Sequence, residues 1–126
     1  TLELKEILQD HLPQGRENKV LSQIFQAIRI EVNNEYEVLR EFLSQTTEAL
    51  LPTGRLVVIS YHSIEDKLVK NFMRSGNLEG KIEKDFYGNP LTPFNIISRK
   101  AIVPTEEEIE INSRARSAKL RIAEKI

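Results

Sequence analysis

Residues Gly54-Arg55-Leu56-Val57-Val58-Ile59-Ser60-Tyr61-His62-Ser63-Ile64-Glu65-Asp66 join an unbroken apolar run directly to polar and aromatic groups, with no loop between them. Leu56 to Ile59 are apolar at every position, and a run without alternation predicts a strand covered on both faces, as in a parallel sheet flanked by helices. Ile64, Leu68 and Phe72 then recur at helical spacing, predicting a helix over 64–74 that stops near Gly76. Ser63 and Asp66 have the spacing of a capping box, with Ser63 as cap and Asp66 reaching back to it. The stretch is therefore a strand–turn–helix. It sets Tyr61, His62 and Ser63 at the carboxyl end of a parallel strand, where open α/β sheets bind ligands. The plainer alternative is a capping Ser63 and a His62 that merely satisfies a nearby carbonyl.

Outward from this junction, helices come first and strands later. Residues 2–11, 19–32 and 34–51 carry apolar side chains at helical spacing, interrupted by Pro13, Gly15, Pro52 and Gly54. Residues 77–93 hold Gly80, Gly88, Pro90 and Pro93 and read as an irregular loop. Phe94 to Ser98 suggests a second strand extending toward Val103. Thr105 followed by Glu108 marks another helix start. Ser117 to Ala123 alternates, as expected of a strand near a sheet edge. The order places the chain in the α/β class.

Composition narrows the function. The 126 residues are 40% hydrophobic and 29% charged with net charge −1, which suits a soluble globular chain without a global nucleic-acid signature. No apolar run approaches the roughly 18–20 residues of a membrane span, so no membrane role is expected and a cytoplasmic location is. The absence of cysteine removes disulfides, thiolate nucleophiles and cysteine-ligated zinc. His11 and His62 have no metal-ligand spacing, so no metal is expected. A Ser-His-Asp hydrolase would need a G-x-S-x-G elbow, which the residues flanking Ser63 do not form. The five glycines contain no G-x-G and no phosphate-cradling loop, so no nucleotide-type cofactor site is expected in this chain.

A second informative run is Asn112-Ser113-Arg114-Ala115-Arg116-Ser117-Ala118-Lys119-Leu120-Arg121, with four cations and no acid in ten residues. Such a cluster suits backbone phosphates, because each Lys or Arg contact releases a condensed counterion. A charged edge strand that guards against aggregation fits it equally well.

Three blocks together resemble the ribosomal RNA small subunit methyltransferase H family. They are Phe25 to Glu35, Gly54 to Lys70 with its Ser-Tyr-His-Ser-Ile-Glu-Asp centre, and Arg114 to Arg121, in matching order and spacing. The resemblance implies a Rossmann-like, S-adenosylmethionine-dependent methyltransferase that modifies N4 of a cytosine in 16S rRNA. It implies that this chain, which begins at Thr1 and has Met73 as its only methionine, is the carboxyl-terminal part. Residues 1–32 would end an inserted helical subdomain, and residues 33–126 would hold the fourth helix and last three strands. The cofactor would be bound by the intact enzyme and not by this chain, which alone is expected to be inactive. Tyr61, His62 and Ser63 become candidates for the wall of the target-base pocket. Arg29, Arg114, Arg116, Lys119 and Arg121 become candidates for RNA phosphates. The expected partner is 16S rRNA or the small ribosomal subunit, with self-association through strand 55–59, or pairing with the amino-terminal half, as a further expectation. An autonomous RNA-binding or protein-interaction module is the rival reading.

Overall fold

A computed structural model describes residues 2–126. The chain divides into two compact units, one up to Val38 and one over Leu39–Ile126, with the division inside a helix.

The first unit is helical. Helix α1 spans Leu2–Gln9 and α2 spans Glu17–Val32, and α3, Glu35–Ala49, begins here. Pro13 and Gly15 separate the first two helices: the Arg16 N–H donates to the Pro13 carbonyl, and the Gly15 N–H donates to Glu17 Oε1 at 2.8 Å. Asn34, at φ 51°, makes the left-handed step between α2 and α3, a conformation Asn tolerates because its short side chain bonds locally. Leu21 is buried in this region.

The second unit is a sheet with a helix laid across it. Strands β1 (Arg55–Ser60), β2 (Phe94–Ile96) and β3 (Lys119–Lys125) lie in the order β1-β3-β2. Helix α4, Ser63–Ser75, packs on all three. Alternation within each strand decides what that helix covers. Leu56, Ala123 and Phe94 are buried with Leu68, Val69, Phe72 and Met73 of α4, and the Phe72 and Phe94 rings lie 5.8 Å apart. Gly76 ends α4 at φ 76°, where a Cβ would come within 2.2 Å of Pro93 Cδ, so only glycine allows the 77–93 loop to return this closely. Short helix α5, Glu106–Ile111, is capped by Thr105, whose Oγ1 accepts from the Glu108 N–H at 3.2 Å. A 3₁₀ turn over Ser113–Ser117 leads into β3.

Four expectations about the sheet are corrected. Both pairings are antiparallel, with Leu56 opposite Ala123 and Phe94 opposite Lys125. An unbroken apolar run carries no information on strand direction, which is fixed by partners some sixty residues away. In keeping with that, β1 does not have two covered faces: Val57 is 52% and Ile59 57% exposed. The alternating strand at the carboxyl end lies in the middle of the sheet and not at an edge. The second strand stops at Ile96 because the Ile97 and Ser98 N–H groups both donate to the Ile122 carbonyl, at 3.1 and 3.2 Å. Two residues then oppose one, as in a bulge, and pairing resumes only at the isolated bridge Ile102–Leu120.

Candidate nucleic-acid interface

The β1–α4 junction is built on Glu65. Its carboxylate accepts the backbone N–H groups of Tyr61 and His62, each at 3.3 Å, while the His62 carbonyl accepts the Asp66 N–H at 3.0 Å as the first bond of the helix. His62, not Ser63, is thus the N-cap residue, and Glu65, not Asp66, is the returning carboxylate. The box sits one position earlier than the sequence spacing predicts, because the chain turns helical at Ser63 itself. Tyr61 and Ser63 are exposed and His62 is half-buried. These three residues share one end of the sheet.

Freed from capping, Asp66 has another task. Arg121 donates to it from Nε at 2.7 Å and from Nη2 at 3.1 Å, and Lys119 Nζ lies 3.3 Å from its Oδ2. The Arg121 hydrogen bonds hold the Asp66 carboxyl below its ordinary 3.8, against the opposing effect of burial. Side-chain exposure is 11% for Asp66 and 12% for Arg121, so the pair lies largely out of water. Strand alternation explains the meeting: Lys119, Arg121 and Ala123 share the face that α4 covers, and Ser60 and Val58 stand opposite Lys119 and Arg121. Two motif blocks more than fifty residues apart in sequence therefore meet at Asp66.

The other candidate cations lie elsewhere. Arg114 and Arg116 are exposed on the 3₁₀ turn, which is held by buried Ala115 and by Asn112 Oδ1 accepting the Arg114 N–H. Arg29 belongs to the helical unit, where its guanidinium meets the Glu35 carboxylate at 2.9 and 3.0 Å. Of the five candidate cations, the structure brings Lys119 and Arg121 together, sets Arg114 and Arg116 on the approach to their strand, and leaves Arg29 in the separate unit.

Sequence reading missed the role of Asp66, and it missed a cleft of about 300 Å³ beside Arg121 whose rim carries Lys70, Arg74 and Arg99. The four-residue spacing of Lys70 and Arg74 on α4 was the available signal. Among the described residues no group of His, Cys, Asp and Glu could hold a metal ion, and no helix is long and apolar enough to cross a membrane.

Sheet order, covering helix and basic margin define a mixed helix-and-sheet chain of the α/β kind, of the sort a methyltransferase contributes as one part of its fold. The chain belongs to the MraW methylase family, whose family model matches residues 1–126. It is 62% identical over 126 residues to a Flavobacterium johnsoniae protein named ribosomal RNA small subunit methyltransferase H, covering all of this chain and 41% of the relative. Proteins of the same name from Bacteroides thetaiotaomicron (59% over 123 residues, 98% of this chain and 40% of the relative) and Amoebophilus asiaticus (57% over 125 residues, 99% and 40%) are also similar. The chain spans about two fifths of the length of these relatives.

Proposed function

We propose that this chain is the carboxyl-terminal part of an S-adenosylmethionine-dependent methyltransferase that acts on N4 of a cytosine in 16S rRNA, in the cytoplasm. The observation that carries the reading is the 62% identity, along the whole chain, to a protein named as a small-subunit rRNA methyltransferase. In this reading residues 1–32 end an inserted helical subdomain and residues 33–126 complete a Rossmann-like domain.

In this reading the cofactor is bound by the intact enzyme and not by this chain alone. The glycines at positive φ (Gly15, Gly76, Gly80, Gly88) sit in separate turns and form no phosphate- or sulfonium-facing cradle, and Asp66 is committed to Arg121 and Lys119. We therefore assign this chain to handling of the RNA. Tyr61, His62 and Ser63, at the end of β1, serve as one wall of a pocket for an extruded base, where an exposed aromatic ring beside a half-buried imidazole suits stacking on a nucleobase. Arg114 and Arg116 meet the RNA backbone, with Lys119 at the margin, while Arg121 acts mainly by fixing Asp66. Arg29 supplies a phosphate contact from the helical unit.

The half-exposed Val57 and Ile59 give a second consequence. β1 pairs only with β3 among the described residues, so its other edge offers free N–H and C=O groups beside apolar side chains. The isolated chain self-associates through this edge. Light scattering at high concentration should show a mass above 14.5 kDa, and a monodisperse 14.5 kDa species would refute it.

Methyl transfer from labelled S-adenosylmethionine to 16S rRNA by the longer protein tests the main reading: label should appear at a cytosine N4, and no incorporation would overturn it. The chain alone should bind no cofactor by calorimetry, and a micromolar dissociation constant would show a site that its residues do not reveal.

A further inference from the structure

The cleft beside Arg121 gathers four cations: Lys70 and Arg74 from successive turns of α4, Arg99 from the segment after β2, and Arg121 from β3. Residues four apart on a helix share a face, so α4 presents Lys70 and Arg74 as one basic edge. Ion pairing within the chain does not account for them: no carboxylate pairs with Lys70, Arg74 or Arg99 among the described residues, and the nearby acid, Asp66, already serves Arg121 and Lys119.

The backbone that carries Arg99 is fixed. Ser98 Oγ accepts the Ile122 N–H at 2.8 Å, and the Ile97 and Ser98 N–H groups share the Ile122 carbonyl. The serine side chain stands in for a ladder carbonyl, so the chain leaves the sheet at this point and Arg99 projects from a pinned segment. Bulges often re-aim side chains in this way beside functional sites. Arg121 is pre-set by Asp66 in turn. The result is a concave, positively charged site whose mouth has two exposed side chains on α4 and whose floor is held from two strands.

We infer that this cleft binds a phosphate group of the RNA backbone, at a position separate from Arg114 and Arg116. Its volume, about 300 Å³, lies at the lower end of ligand pockets and accommodates more than a single ion. Arginine suits the forked recognition of phosphate oxygens, and lysine adds a point charge. The inference rests on the RNA reading above for the source of the phosphate, and only the convergence of cations is independent of it.

The test measures binding of a single-stranded oligoribonucleotide from the target region to the longer protein as a function of NaCl. Lys70→Ala with Arg99→Ala should flatten the slope of log affinity against log salt by about 1.4, two single-strand phosphate contacts, with weakening of about tenfold and unchanged melting temperature. A control lacking two exposed lysines outside the cleft, Lys67→Ala with Lys84→Ala, should change the slope by less than half as much. An unchanged slope in the cleft variant, with wild-type binding intact, overturns the cleft and leaves the RNA reading standing. An equal effect in the control also overturns it, because general charge then suffices. Displacement of RNA by submillimolar inorganic phosphate at constant ionic strength would assign the cleft to a free anion and overturn the RNA backbone as ligand. A wild-type protein that binds no RNA overturns both readings.

Discussion

Arg114 and Arg116 lie a few residues from Lys119 and Arg121 in one basic run, yet the first pair is exposed on a 3₁₀ turn and Arg121 is nearly sealed beneath α4. Composition does not separate them. Geometry does, because the turn spends its one buried position on Ala115, sending its neighbours outward, while β3 alternates and sends Arg121 inward with Ala123. A guanidinium placed there needs a carboxylate, and α4 supplies Asp66. One half of the run is tied into the fold through Asp66 and the other half lies exposed.

The comparison breaks most readily at Asp66. Asp66→Ala leaves the largely covered Arg121 without its carboxylate and should cost about 1.5–3 kcal/mol in urea unfolding. A loss under about 1 kcal/mol would mean that water reaches the guanidinium. Replacing both members by apolar residues, Asp66→Leu with Arg121→Met, should recover most of that loss, since the desolvation of both charges is removed together.

Acid sharpens the same contrast. Asp66 is depressed below 3.8 chiefly by the hydrogen bonds from Arg121, so its contribution to stability is complete above that value and is lost as pH falls through its lower, folded value. Denaturation midpoints should therefore drop below pH 3.8, and Asp66→Asn should flatten that part of the profile; equal profiles for the two proteins would contradict the pairing.

Arg121→Lys keeps the charge but loses the two-pronged contact, and about 1–2 kcal/mol should go with it. Lys119→Ala should cost less than about 1 kcal/mol, because the Lys119 side chain is 40% exposed and its attraction is screened. A Lys119 effect as large as that of Arg121 would erase the distinction between them.

Much of the fold was readable because it is local. Helical spacing gave α2, α3 and α4, the Thr105–Glu108 pair gave the start of α5, and Gly76 marked the end of α4. What was not readable is pairing at a distance. Nothing in Leu56 to Ile59 states that the neighbour is Leu120 to Ala123 running the other way, nor that this neighbour is central. The cap was misplaced by one residue because Ser63 and Asp66, like His62 and Glu65, have the required three-residue spacing, and side-chain type favoured the wrong pair. That error hid Asp66 as the partner of Arg121. The cationic cleft escaped notice because Lys70, Arg74 and Arg99 come from two segments joined only by the sheet.

The most direct test of the division within the basic run is the salt dependence of rRNA binding by the longer protein carrying Arg114→Ala and Arg116→Ala. Stability should stay within about 0.5 kcal/mol of wild type, as for exposed positions, while the slope flattens by about 1.4. An unchanged slope, or a stability loss comparable to that of Asp66→Ala, would contradict the assignment of this half of the run to RNA and not to the fold.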